Sequence, residues 1–292
     1  MSSPIRVLVI GATGNIGRNL LPLLLSRGVR VRAASRNPEK AGFPAGVEAV
    51  RFDWSDPVQV QAALTGVDRA FFLMPSSFEG DAAPQREALG IARAVGVRHV
   101  VLLSAKGIEA NPGAPLRRLE LALQSSGLAW TLLRPTFFAQ NMATFQADFL
   151  RREGQIVLPA GDGATAFVDT RDIAEVAARA LTEEGHEGRT WTLTGPRALT
   201  YHEVAELIGR ATGRPIRYHS IPAEAYREGL RSAGMPPAVV EGFVWLYDGV
   251  VAKGYAAEVT DDVPSLLGRP ARSFEDFVTE HAQVWREVPA TA

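Results

Sequence analysis

Cysteine is absent from all 292 residues, which excludes disulfides, thiolate nucleophiles and thiolate metal sites. Lysine is nearly absent as well: Lys40, Lys106 and Lys253 are the only three, so arginine carries most of the positive charge. With 31 basic and 32 acidic residues the formal net charge is -1, and no basic block occurs. Neither nucleic acid nor an anionic membrane surface is therefore an expected partner. No apolar run approaches the length of a bilayer span and no signal-peptide pattern precedes the first strand, so a cytoplasmic location is expected. The five histidines, His99, His186, His202, His219 and His281, lack metal-ligand spacing, and no metal site is expected. The chain has no internal repeat or low-complexity linker. Its length suits one large α/β domain or a cofactor domain with a smaller cap.

What the chain does have is a glycine turn directly after the apolar run Ile5 to Ile10: Gly11-Ala12-Thr13-Gly14-Asn15-Ile16-Gly17. A strand, a tight turn and an aliphatic helix form a crossover whose helix N-terminus offers bare backbone N–H groups to a pyrophosphate. Gly11 permits the sharp turn, Gly14 lets phosphate approach the backbone, and Gly17 lets the helix pack closely on the sheet. The triplet alone is a weak signal, but its place between a strand-like run and Leu20 to Leu25 makes it a dinucleotide site. Pro22 lies inside the expected helix, and a kink or a shifted helix start is predicted there.

About twenty residues beyond the glycines, where an acid would bind the ribose 2'-hydroxyl of NAD, the chain has Ser35-Arg36-Asn37-Pro38. Arg36 can pair with a 2'-phosphate, which favours NADP(H). The alternative is a solvated arginine at a strand end. Arg32 falls on the same strand face and is more ambiguous.

Apolar runs then alternate with amphipathic stretches, as a doubly wound parallel sheet of the Rossmann type requires. Strands are expected at Val29 to Ala34, Val47 to Phe52, Ala70 to Met74, His99 to Ser104 and Ala129 to Leu133. Helices are expected from Asp56-Pro57, from Ala83 to Val95 and from Leu116 to Ser125. Cofactor-facing groups belong just past the strand ends: Arg36, Asp53, Leu73, Met74 and Pro75 before Ser76-Ser77, then Ser104, Pro135, Thr136 and Phe137. Asp53 is a candidate acceptor for the adenine amino group, or a residue that caps its own turn.

Beyond the sixth strand aromatics collect at Phe137, Phe138, Phe145 and Phe149, the expected wall of a substrate pocket or simply a core. Asp169 or Thr170 should cap an alanine-rich helix. Thr200-Tyr201-His202-Glu203 and, more loosely, Ser273-Phe274-Glu275-Asp276 resemble capping boxes. Tyr226 to Val251 should be mostly helical, broken at Pro236-Pro237. These signals divide the chain into residues 1–155, a cofactor-binding domain to which later segments return, and 156–292, a substrate-binding lobe packed as a cap.

Several segments carry a resemblance: Gly11 to Gly17, Ser125-Ser-Gly-Leu-Ala-Trp-Thr-Leu-Leu-Arg-Pro135, Phe137-Phe-Ala-Gln-Asn141, Phe167-Val-Asp-Thr-Arg-Asp172, Val259-Thr-Asp-Asp262 and Arg272-Ser-Phe-Glu-Asp-Phe277. Together they resemble the NmrA-like branch of the atypical short-chain dehydrogenases, over nearly the whole length. Within it the chain is most similar to the NADPH:quinone oxidoreductase and triphenylmethane reductase type. The resemblance implies NADPH, a Rossmann core and a small, mostly helical C-terminal lobe.

The wider superfamily protonates its substrate with Tyr-x-x-x-Lys, in or just before the helix that precedes the sixth strand. None of the five tyrosines, Tyr201, Tyr218, Tyr226, Tyr247 and Tyr255, has a lysine four residues later, and all lie far downstream. The helix instead contains Leu116-Arg117-Arg118-Leu119-Glu120. Reduction of an isolated ketone creates a basic alkoxide that needs a proton donor. A quinone accepts hydride to give a delocalised anion whose conjugate acid has a pKa of about 10, so solvent can complete the protonation. A quinone or comparable conjugated, aromatic small molecule is thus the expected substrate of an NADPH-dependent reductase. The other reading is an NADP(H)-binding redox sensor that does not turn over. Ser104, Lys106 and Asn141 are the candidate catalytic residues; Phe138, Asn141 and Phe145 are the candidate substrate pocket. A monomer or homodimer is expected.

Overall fold

The structure, a computed structural model, describes residues 4–75 and 82–286. Ser76 and Ser77, expected past the fourth strand, lie outside the described residues. The strands are β1 Arg6–Ile10, β2 Arg30–Ser35, β3 Val47–Arg51, β4 Arg69–Leu73, β5 His99–Leu103, β6 Ala129–Pro135, β7 Gln155–Leu158, β8 Ala164–Thr165, β9 Arg189–Leu193, β10 Leu199–Thr200 and β11 Arg217–Ser220. The α-helices are α1 Asn15–Ser26, α2 Pro57–Leu64, α3 Ala83–Ala94, α4 Pro115–Ser125, α5 Ala147–Glu153, α6 Thr170–Thr182, α7 Tyr201–Thr212, α8 Ala223–Ser232, α9 Pro237–Val244, α10 Asp262–Leu267 and α11 Phe274–His281.

Two compact units divide the chain. The first contains residues 1–135 and 170–193, the second residues 136–169 and 194–292. The division expected at residue 155 falls instead at Pro135, because the chain after β6 joins the second unit at once: Phe138 bridges Val168 in parallel and Ala139 N–H donates to the Val168 carbonyl at 2.9 Å. The return of later residues to the sheet is accomplished by α6 and β9.

In the first unit seven parallel strands run in the order β3-β2-β1-β4-β5-β6-β9. The order reverses between β1 and β4, and the crevice beyond the strand carboxyl ends at such a switch point is where dinucleotides bind. Strands covered on both faces read as unbroken apolar runs, and Val7, Leu8, Val9 and Ile10 are all buried. Successive side chains point to opposite faces. Leu8, Ile10, Phe72, Leu102 and Leu132 join Val60 of α2, Leu89 of α3 and Leu119 of α4 in one core. Truncating such a side chain to alanine costs about 2–5 kcal/mol. On the other helical layer α1 packs with α6, which also lies along β4, β5 and β6.

The start signals act as their chemistry dictates. Asp56 accepts from the Val58 and Gln59 N–H groups at 3.0 and 3.2 Å, with Pro57 as the first helical residue of α2. Helix α1 begins at Asn15 and continues through Pro22 without a break. Pro22 is exposed, and its missing N–H removes the i+4 donor for the Arg18 carbonyl.

The second unit is mostly helical, with two small sheets: β7 pairs β11 in parallel, and β8 pairs β10 antiparallel. Leu150, Ile156, Leu158, Tyr201, Ile208 and Phe277 belong to its core, together with Trp285, whose indole N–H donates to the Met142 carbonyl at 2.8 Å. The box opening α7 is complete: Glu203 N–H donates to Thr200 Oγ1 at 3.2 Å and Thr200 N–H to Glu203 Oε2 at 2.8 Å. At α11, Asp276 N–H donates to Ser273 Oγ at 3.0 Å. Between them α8 and α9 are separated around Pro236, and α9 continues into a π-helix over Trp245–Val251.

Candidate functional site

In the first unit the expected cofactor residues gather at the carboxyl edge of the sheet. Gly11 takes a left-handed φ of +73°, and a Cβ there would stand 2.4 Å from Leu73 Cδ2, so the turn and the end of β4 pack as neighbours. A Cβ on Gly17 would stand 2.4 Å from the Gly11 carbonyl oxygen and 2.6 Å from Ala12 Cα. Only glycine allows that approach. At Gly14, the N-cap of α1, a Cβ would meet the Gly11 carbonyl at 3.3 Å and otherwise open space. Among the described residues no side chain caps α1, and its first turn holds no acid. Open backbone plus an uncapped helix N-terminus of Asn15, Ile16 and Gly17 is a cradle that a diphosphate fits.

Arg36 stands exposed just past β2, makes no hydrogen bond or ion pair among the described residues, and lies close enough to Asp53 to help lower its pKa. Its guanidinium is available to a phosphate. Arg32 is different: Nη1 donates to the Ala63 and Thr65 carbonyls at 2.7 and 2.9 Å at the end of α2, and Nη2 pairs with Glu48 at 2.9 Å. It is a structural residue. Asp53 Oδ1 accepts from the Ser55 hydroxyl at 2.7 Å and the Ser55 N–H at 2.9 Å, which hold its carboxyl below the ordinary range; it caps its own turn. Thr13 is exposed and, with Arg18, Gly42 and Phe43, lines a recess of about 300 Å³ beside the glycine turn. The sequence alone did not mark Arg18 or Phe43, although an arginine directly after the third glycine was a visible signal.

Past β4, Leu73 and Met74 are half-buried and Pro75 exposed. Past β5, the Ser104 N–H donates to the Leu133 carbonyl at 2.7 Å and the Lys106 N–H to the Pro135 carbonyl at 2.9 Å, so the β5 exit is fastened to the β6 exit. The Lys106 side chain is half-buried and partnered.

Beside these exits lies a charge cluster that sequence reasoning missed. Glu120 on α4 is fully buried and accepts from Arg134 Nε and Nη2 at 2.9 and 2.8 Å, from Arg117 Nη1 at 2.6 Å and from Ser104 Oγ at 2.6 Å. Arg134 also pairs with Glu109 at 3.3 Å. Burial would raise the Glu120 carboxyl, but the bonds from Arg134, Ser104 and Arg117 outweigh it and hold the group below the ordinary range. The available signal was a glutamate on the apolar stripe of α4, adjacent to Leu119 and one turn from Leu116 and Leu123.

In the second unit, Thr136 donates its hydroxyl to the Ala166 carbonyl, Phe137 packs against Tyr247 at 5.9 Å between ring centres, and Phe138 is held by its backbone bridge to Val168. Asn141 lies within a short 3-10 helix, Ala139–Ala143, whose N-cap is Phe138; the residue is half-buried and its side-chain amide makes no hydrogen bond among the described residues. Phe145 is 67% exposed and meets Phe243 edge to face at 6.3 Å. All five tyrosines are in this unit. Burial pushes Tyr201, Tyr218 and Tyr226 above their ordinary value and Tyr247 up to about 12. Among the described residues no helix is long and apolar enough to cross a membrane and no cluster could hold a metal ion.

Known proteins share this fold. Residues 11–184 match the NAD(P)H-binding family. The chain is 37% identical to the NAD(P)H azoreductase of Xenophilus azovorans over 285 residues, covering 94% of this chain and 98% of that one. The NADPH-dependent quinone oxidoreductase of Escherichia coli, solved with NADPH, superposes with a TM-score of 0.84 at 27% identity, covering 94% of this chain and 99% of the other. The triphenylmethane reductase of Citrobacter sp., solved with NADP(H), superposes with a TM-score of 0.82 at 27% identity and the same coverage. By its glycine cradle, its parallel sheet and these matches, the chain belongs to the NAD(P)H-binding family, among its oxidoreductases.

Proposed function

We propose that this protein is an NADPH-dependent reductase of quinones, azo compounds or similar conjugated, electron-poor acceptors. The observation that carries the reading is the state of the proton donors. The helix in or just before which the superfamily keeps an acidified tyrosine and its lysine contains instead Glu120, an ionised carboxylate between two arginines. The tyrosines that burial affects are pushed up, which makes them worse acids. An acceptor whose reduced anion is delocalised needs no protein acid. The relatives' names, azoreductase, quinone oxidoreductase and triphenylmethane reductase, support acceptors of this conjugated class.

Bound NADPH supplies the hydride. The N–H groups at the start of α1 hold its diphosphate, Arg36 pairs with the 2'-phosphate, and Ser104 stands at the strand end nearest the expected nicotinamide. Phe138, Phe145 and the free amide of Asn141 are the proposed acceptor contacts: two aromatic faces and one polar handle. The test is spectrophotometric. NADPH oxidation accelerates when quinones or azo dyes are added, and NADH supports clearly slower turnover. Tight NADP(H) binding with no turnover across such a panel would refute the reductase and leave a nucleotide-binding sensor.

A further inference from the structure

The bonds around Glu120 fix more than charge balance. Glu120 faces only donors, and a carboxylate held by two guanidiniums has no proton to give. The 2.6 Å contact with Ser104 therefore runs one way: the Ser104 hydroxyl donates its single hydrogen to Glu120 Oε1. The Ser104 backbone N–H is also engaged, with the Leu133 carbonyl at 2.7 Å. Both of its donors are thus committed, and among the described residues no donor reaches Ser104 Oγ. What Ser104 retains, at the carboxyl end of β5, is the capacity to accept.

We propose that Glu120 is a positioning residue that makes Ser104 an obligate hydrogen-bond acceptor for the carboxamide NH2 of the nicotinamide. This rests on the nucleotide-binding reading and adds a direction to it. The carboxamide has a donor end and an acceptor end related by a half-turn, and a serine free to rotate its hydroxyl binds either. A serine whose proton is held by Glu120 binds only the NH2 end, so the orientation of the carboxamide is chosen before the acceptor arrives. Arg134, in bidentate contact with the same carboxylate, keeps Glu120 from rotating away.

The experiment measures equilibrium affinity without turnover, by calorimetry, for oxidised NADP and for its 3-acetylpyridine analogue, in which a methyl group replaces the carboxamide NH2. Wild type, Ser104→Ala and Glu120→Gln are compared. One neutral hydrogen bond corresponds to about a threefold to tenfold change in affinity. Wild type should bind the analogue that much more weakly than NADP. Ser104→Ala should bind NADP more weakly by a similar factor and should not distinguish the two ligands, because the bond is already gone. Glu120→Gln can donate its amide to Ser104 Oγ and release the hydroxyl, so its preference for NADP should collapse although Ser104 is intact. A Glu120→Gln protein that keeps the wild-type preference would overturn the positioning role of Glu120; should that variant fail to fold, Glu120→Ala, which leaves the Ser104 hydroxyl free to rotate, replaces it with the same expectation. A Ser104→Ala protein that keeps the full wild-type preference for NADP over the analogue would overturn the role of Ser104 and Glu120. A wild type that binds neither ligand would overturn the nucleotide reading beneath it.

Discussion

Protonation of His99 should destabilise the fold across mildly acidic pH, and the structure supplies the size of the effect. The Thr131 hydroxyl donates to the His186 carbonyl at 2.7 Å, so its proton is used; the 2.9 Å contact between Thr131 and His99 must then be donation by His99 Nε2–H. That assigns the neutral tautomer, with Nδ1 unprotonated, buried and without a partner among the described residues. Burial first, and then the Arg69 guanidinium, push the imidazole from its ordinary 6.5 down to about 4, opposed only by Glu187. Above pH 6.5 the ring is neutral both folded and unfolded and contributes nothing to pH dependence. As pH falls from there towards 4 the unfolded chain takes up a proton that the folded chain refuses, and stability is lost. A difference of 2.5 units corresponds to about 3 kcal/mol. His99→Gln keeps an amide donor for Thr131 and does not titrate. Urea unfolding of both proteins between about pH 7 and pH 4 should show the extra loss in wild type alone; groups remote from His99 cancel in the difference, and the coupling of His99 to Glu187 and His186 is part of the effect read. Parallel pH profiles, or a His99 imidazole titrating near 6 by NMR in the folded protein, would refute this reasoning.

Three further outcomes follow from the geometry. Gly17→Ala places a methyl group 2.4 Å from the Gly11 carbonyl; it should cost about 1–3 kcal/mol and weaken nucleotide binding, read by thermal melts with and without NADP(H). Arg36→Ala should raise the Kd for NADPH about tenfold or more and leave that for NADH unchanged, since a hydrogen bond to a charged group contributes about 1.5–3 kcal/mol; equal losses for both would count against it. Thr200→Ala removes the cap of α7 and should lower stability by about 1 kcal/mol with little change in nucleotide affinity.

The first unit was legible because its signals are local and periodic. Unbroken apolar runs became β1 and β4 to β6, Asp56-Pro57 opened α2, and the spacing of Gly11, Gly14 and Gly17 placed the turn before its geometry was known. Arg36 is marked by its position alone and Arg32 stays ambiguous in the sequence, because a strand pattern does not say whether an arginine reaches water or a helix end. Less was legible where partners are distant. The pairing of β7 with β11 joins short segments about sixty residues apart, and neither has the alternation that announces a strand. Glu120 is hidden for the same reason: its meaning depends on Arg134 of β6 and on Ser104 past β5, and a glutamate on the apolar stripe of α4 does not by itself name those distant partners.

The return of α6 and β9 to the first sheet has a consequence for synthesis. Until Leu193 has left the ribosome, β6 has no neighbour on its outer side, and its row of backbone amides and carbonyls is open to any extended segment nearby. Nascent chains halted between Pro135 and Thr170 should therefore depend on chaperones and resist isolation, and a gene fragment encoding only the first 135 residues should yield insoluble product. Appending residues 170–193 to that fragment through a short tether should restore solubility.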